Sequence, residues 1–317
     1  MLIGFILAAV CSDETERLGE SEIDLKNHKN LRSFGKKVLN FYIREQNMYK
    51  VENVIVDYKL ALLDNGIDWS AHILVRDDET EKYVVKVITG ISPKSVRATQ
   101  VEVEKTKWLK HENIVKMYSS ARIRVKQNVE KGATIENRLM VIEYLNVDTF
   151  EIQENVKMIR KMLKDVLSAL EYMHRHKIAH LDIKPSNIRG IETEPNEITW
   201  KLFDMESAMY LYRDGLKRPM NVYTPMYTDV LHKNEASFAA DIYQVGMTVW
   251  SLMMHDVERE TKRIESYQSE FTGFEMDFNE KIPERMRSFI REATNKDPKK
   301  RPTAAELLSH PFLTEDE

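Results

Sequence analysis

The chain has 317 residues, 42% of them hydrophobic and 31% charged, enough apolar side chain for two compact lobes. A net charge of −4 and a pI near 6.2 provide no basic field, which excludes nucleic acid and an anionic membrane surface as expected partners. Cys11 is the single cysteine, so an internal disulfide framework is excluded and a reducing compartment is expected.

The chain opens on an apolar run, Leu2 to Cys11, that is too short to span a bilayer and lacks the basic residues that precede a secretory signal. A cytoplasmic protein is expected, with the nucleus as the alternative. The charged stretch that follows, to residue 50, carries no readable motif and is expected to be an N-terminal extension. Beyond it come short alternating runs, Val54 to Leu63, Ala71 to Val75 and Tyr83 to Ile88, a pattern that predicts antiparallel sheet. Lys86 shares a face of the third run with Val84 and Ile88, so its cation projects from an apolar floor. The charged run VEVEKTK then predicts a helix ending before HENIV, and RIRVKQ and LMVIEYL flank a polar turn as a hairpin. After Leu145 the period changes: Ile159, Met162, Leu163, Val166, Leu170 and Met173 recur at helical steps. The expected division is an extension over 1–50, a sheet lobe over 51–145 and a mainly helical lobe over 146–317.

The helical lobe carries two polar segments, HLDIKPSNI from His180 to Ile188 and KLFDMES around Asp204. The spacing of Asp182 and Asn187 allows one tight loop to hold a carboxylate toward an incoming hydroxyl and an amide oxygen toward a metal. Lys184 lies between them as a cation, and Asp204 supplies a second metal ligand. Mg²⁺ takes oxygen ligands, and a phosphate being transferred needs its charge neutralised. An H-x-D triplet by itself fits a capped turn equally well, but the two segments together resemble the H-x-D-x-K-x-x-N loop and D-F-G segment of the eukaryotic protein kinases.

That resemblance implies a bilobal α+β fold with a small antiparallel N-lobe sheet, ATP and Mg²⁺ as cofactors, and protein Ser/Thr hydroxyls as substrate. It makes Asp182 the base, Lys184 the charge beside the transferring phosphate, and Lys86 the lysine on the α and β phosphates. HENIV resembles the family's H-P-N-I-V, and counting back from His111 by the family spacing gives Glu102 as the partner of Lys86. Glu104, on a different helix face, is its rival. Asn187 and Asp204 are the implied metal ligands. Gly66, Ala71, Val84, Lys86, Glu143, Leu145 and Arg189 are the implied nucleotide-lining residues, with Ile142 as gatekeeper and the backbone of Glu143 to Leu145 on adenine. AADIYQVGMTVWSLM resembles the buried helix whose Asp241 braces the catalytic loop. DPKKRPTAAELLSHPFL resembles the family's C-terminal segment, with Arg301 expected to pair with Asp229.

Four departures stand beside these matches. Only Gly66 remains of the Gly-rich loop, and at an effective dielectric of ~20 a carboxylate such as Asp64 or Asp68, ~8 Å from a phosphate, costs on the order of 1–2 kcal/mol. Leu181 replaces the arginine before the catalytic Asp, so activity is expected without activation-loop phosphorylation. Glu206 replaces the glycine of D-F-G, and Arg189 replaces an apolar residue beneath adenine, where a guanidinium can stack. Thr224-Pro225 resembles the family's G-T-P while Asp229 takes the place of the glutamate in A-P-E, and the two assignments conflict by two residues. Two functions follow: an active Ser/Thr-type kinase, or a kinase-fold scaffold or allosteric partner. The DPKKRP segment disfavours a small-molecule phosphotransferase.

Overall fold

The computed structural model describes residues 54–55, 69–77, 81–90, 93–126, 134–195, 197–212, 224–229, 235–254, 278 and 280–315. They form two compact units. The first takes the described residues up to Trp108 together with Lys116–Tyr144, and the second takes Leu109–Val115 and the chain from Leu145 onward.

In the first unit, β-branched and aromatic residues build β1 (Val54–Ile55), β2 (Trp69–Asp77), β3 (Glu81–Gly90), β4 (Met117–Lys126) and β5 (Thr134–Glu143). They pair antiparallel in the order β1-β2-β3-β5-β4, which puts β3 in the centre. The run expected from Val54 to Leu63 is strand at Val54–Ile55, its remainder lying outside the described residues, and β5 ends at Glu143 rather than Leu145. Helix α1 (Pro93–Trp108) begins on a proline, whose missing N–H costs nothing at a first turn. It ends with Lys105 and Lys107, whose charge opposes the helix dipole.

The second unit is built on α2 (Val156–Arg175) and α3 (Phe238–Leu252). Helix α2 buries the expected stripe, Ile159, Met162, Leu163, Val166, Leu170 and Met173. Asn155 caps it, accepting from Met158 N–H at 3.1 Å. The helix stops at Lys177, whose φ of 61° sits where glycine is usual, its N–H donating to His174 O at 2.9 Å. β6 (Val147–Asp148), which precedes α2, makes a three-stranded sheet with β8 (Ile188–Glu194) and β9 (Glu197–Leu202), and β7 (Ile178–Ala179) pairs with β10 (Met209–Tyr210). Helix α3 is buried on nearly every side, as its apolar sequence requires. Gly246 lets α4 (Glu284–Ala293) approach it so closely that a Cβ there would meet Thr294 Cγ2 at 2.6 Å. Trp200, Trp250, Phe289 and Phe312 fill the core, closed by α5 (Ala304–Leu308) and α6 (Pro311–Thr314).

Leu109–Val115 joins this second unit through its backbone. Val115 N–H donates to Leu202 O at 2.9 Å and Leu202 N–H to Asn113 O at 2.9 Å. The Asn113 side chain adds a bond from Nδ2 to Trp200 O at 3.0 Å. A single cut between 145 and 146 therefore does not separate the two units.

Candidate active site

On the central strand of the first unit, Lys86 lies opposite His72 and Met140. Its Nζ is 2.6 Å from Glu102 Oε1 on α1, and both residues are buried, at 3% and 2% exposure. Two charges removed from water at this depth offset each other's desolvation, so the pair fixes the position of α1 more than it adds net stability. The rival Glu104 is exposed and accepts from Gln100 Nε2 at 2.7 Å. Thr106 Oγ1 donates to Glu102 O at 2.9 Å. Lys105, one turn beyond Glu102 and buried, has its pKa lowered to about 8 by desolvation, against the opposing pull of Glu102.

Part of the nucleotide-lining set expected in this unit lies among the described residues. Val84 is half-buried on β3, and Ala71 pairs with Val87 through β2 and β3. Gly66, Asp64 and Asp68 lie outside the described residues. Glu143 N–H donates to Lys116 O at 3.0 Å and its side-chain Oε1 accepts from Lys116 N–H, which ties the end of β5 to the residue before β4.

In the second unit, the loop from His180 to Ile183 hangs from one face of α3. Asp241 Oδ2 accepts from His180 N–H at 2.9 Å and Oδ1 from Leu181 N–H at 2.7 Å, while His174 Nε2 lies 2.8 Å from Oδ2. Gln244, one turn on, accepts from Ile183 N–H at 2.8 Å and donates to Leu181 O at 3.0 Å; Thr248 Oγ1 donates to Ile183 O at 3.5 Å. Asp241 was legible in the sequence. Gln244 and Thr248 were missed, although polar residues three and seven positions further along an otherwise apolar helix are the signal for them.

This suspension carries Asp182 with its carboxylate ringed by donors. Lys184 Nζ is 2.7 Å and Asn187 Nδ2 2.8 Å from Oδ2, and Thr224 Oγ1 donates to Oδ1 at 3.0 Å. A carboxylate has about four lone-pair sites, so three donors leave one for a further hydroxyl. Lys184 Nζ also donates to Thr224 Oγ1 at 2.9 Å, which closes a ring of three side chains. The residue before the carboxylate, Leu181, has φ 66°, a left-handed conformation that costs an L-residue roughly 1–2 kcal/mol and persists here under bonds on both its N–H and its C=O.

Asn187 and Asp204 supply the oxygen donors that suit Mg²⁺. Asn187 Nδ2 donates to both Asp182 O and Asp182 Oδ2, each at 2.8 Å, which orients the amide and leaves its oxygen for a cation. Phe203 N–H donates to Asn187 O at 3.2 Å, placing Asp204 one residue past a direct tie to Asn187. Asp204 itself has φ 67°, a conformation that Asp tolerates better than most residues. His180 connects the same parts: its Nδ1 accepts from Asp182 N–H at 3.3 Å, which assigns the proton to Nε2, 3.2 Å from Phe203 O. The chemistry of this donor set fits the metal.

Arg189 is not loose. Its guanidinium lies 3.0 Å from Asp148 Oδ2, because β6 and β8 set the two residues opposite each other. Asp148 is held in turn by a capping box, accepting from Phe150 N–H at 3.0 Å while Glu151 accepts from Asp148 N–H at 3.1 Å. Leu145 is buried at 5% exposure, and Glu206 is exposed.

The two residues in that conflict each find a partner. Thr224 reaches Asp182, and Arg301 NH2 pairs with Asp229, with one turn of 3₁₀ helix, Pro225–Tyr227, between them. Arg301 also donates to Asn295 O at 2.7 Å and Ala239 O at 3.1 Å.

The protein kinase domain model matches residues 70–313, and the chain belongs to that family. Its mixed α/β content, small antiparallel sheets and several helices are those of the bilobal kinase fold. Similar proteins include myosin light chain kinase 2 of skeletal and cardiac muscle from Bos taurus, 24% identical over 73% of this chain and 37% of the relative. Serine/threonine-protein kinase TIO from Arabidopsis thaliana is 24% identical over 74% of this chain, and serine/threonine-protein kinase 36 from Mus musculus is 26% identical over 73%. The match spans 17% of each of these two relatives. No helix among the described residues is long and apolar enough to cross a membrane.

Proposed function

We propose that the protein is an active Ser/Thr-type protein kinase. The observation that carries this reading is the closed set around Asp182, in which Lys184, Asn187 and Thr224 each donate to one carboxylate. In the proposed reaction the substrate hydroxyl gives its proton to Asp182. Its oxygen bonds the γ-phosphorus as the bond to the ADP oxygen breaks, and Lys184 meets the charge on the phosphoryl group in flight. Lys86, held by Glu102, would take the α and β phosphates; Asn187 and Asp204 would hold Mg²⁺, which when bound neutralises phosphate charge. Gly66, Ala71, Val84, Glu143, Leu145 and Arg189 are proposed as nucleotide-binding residues on the family resemblance. A protein substrate, with neither nucleic acid nor membrane as partner, and a cytoplasmic location complete the reading.

A scaffold is the second reading, favoured by the Arg189 to Asp148 pair, which fixes a cation where the family has an apolar residue. Thermal shift with ATP separates the two, since a ligand that binds only the native state stabilises by RT ln(1 + [L]/Kd). A shift that requires Mg²⁺, with Asp182→Asn keeping the shift but losing ~10²–10⁴-fold in transfer to Ser/Thr peptides, is the kinase result. No shift at millimolar ATP, or a variant with most of the wild-type rate, overturns it.

A further inference from the structure

Leu181, the neighbour of the proposed base, is buried at 1% exposure in a small apolar cluster separate from the main core. Its companions are Ala179, Leu211, Ala236 and Ala240, with Met209 and Phe238 packed against them. They come from β7, from β10 and the residue after it, and from the start of α3. Hydrogen bonds join the same three pieces: Met209 pairs with Ala179, Leu211 N–H donates to Lys177 O at 2.7 Å, and Leu181 N–H donates to the Asp241 carboxylate. The cluster ends abruptly in solvent, since Tyr212, the next residue, is 79% exposed. Further along the chain is Thr224, which donates to Asp182 Oδ1.

From this placement we infer that Leu181 is a positioning residue: its buried side chain clamps β10 and Leu211 against the loop that bears Asp182, so that apolar packing as well as the bond to Asp241 holds the base in place. The inference rests on the reading of Asp182 as that base. Leu181 has two separable duties. One is a backbone at φ 66°, which glycine performs better than leucine. The other is filling the cluster, which glycine cannot do. A purely torsional role makes Leu181→Gly harmless, whereas a clamp makes it as damaging as Leu181→Ala.

The test is amide hydrogen exchange on the full chain, with Phe289 and Ile290 of α4 as internal reference. The expected result is that Leu181→Gly and Leu181→Ala speed exchange at Met209 and Leu211 by at least ~10-fold with α4 unchanged, while Leu181→Met keeps the protection. Leu211→Ala tests the clamp from its other side and is expected to do the same. In steady-state assays Leu181→Gly and Leu181→Ala lower kcat, with KM for ATP and the Mg-ATP thermal shift retained. Unchanged exchange at Met209 and Leu211, or equal loss at α4, overturns the clamp. A wild-type protein with no transfer activity sinks the kinase reading instead, while the exchange comparison still decides the packing.

Discussion

Asp241 takes the N–H of Leu181 on one carboxylate oxygen, at 2.7 Å, from 60 residues further along the chain. Its other oxygen takes His180 N–H and meets His174 Nε2. An amide of the same size has one oxygen and one NH₂, so Asp241→Asn turns a donor toward a buried N–H. The expected cost is about 3 kcal/mol, which lowers the melting midpoint by roughly 4–5 °C for a chain of this size. A midpoint within about 2 °C of wild type would remove the suspension argument.

Lys86 and Glu102 are expected to behave as one unit. Lys86→Met removes the cation 2.6 Å from a buried carboxylate, and breaking a buried pair from one side costs ~3–5 kcal/mol. Adding Glu102→Leu removes that carboxylate, so the double variant is expected to melt above the Lys86→Met single. Transfer activity is lost in both. Additive melting shifts would mean that the two side chains do not interact.

Lys105 gives stability a pH dependence of its own. Burial lowers its folded pKa to about 8 from 10.5, so above pH 8 the unfolded chain holds more protons and stability rises with pH. Below pH 8 the folded protein carries the full cost of burying the charge, on the order of 2–3 kcal/mol. Lys105→Met is therefore expected to raise the melting midpoint at pH 7, with the gain shrinking between pH 8 and 10. Melting curves over that range check it, and a gain that grows with pH would contradict the sign.

Leu181 cannot receive a phosphate, because it is aliphatic and buried among apolar neighbours. Receiving one would take charge-assisted donors that the cluster does not contain. Treating the purified protein with phosphatase is expected to leave its rate on a generic basic protein substrate unchanged. A large loss, restored by loop phosphorylation, would show that another group is the receiver.

What the sequence made legible was set by local spacing. Asp182, Lys184 and Asn187 sit within one short loop, so their convergence follows from chain connectivity. Glu102 was reachable because the family spacing, counted back from HENIV, falls on it. The Arg189 to Asp148 pair was hidden because two strands had to come into register before residues 41 apart in the chain could face each other. The capping pattern from Asp148 to Glu151 was nevertheless visible as D-x-x-E. The 3₁₀ turn between Thr224 and Asp229 was illegible for a different reason: it changes how far a few residues reach, and no residue type announces it.

The ladder that ties Asn113 and Val115 to Leu202 governs how this protein can be dissected. A fragment starting at Leu145 would lack the neighbour of β9, leaving the N–H and C=O of Leu202, a fully buried residue, without their acceptor and donor. Such a fragment is expected to recruit the missing piece in trans, so that a synthetic peptide covering 109–115 restores its fold by complementation while a peptide of scrambled sequence does not.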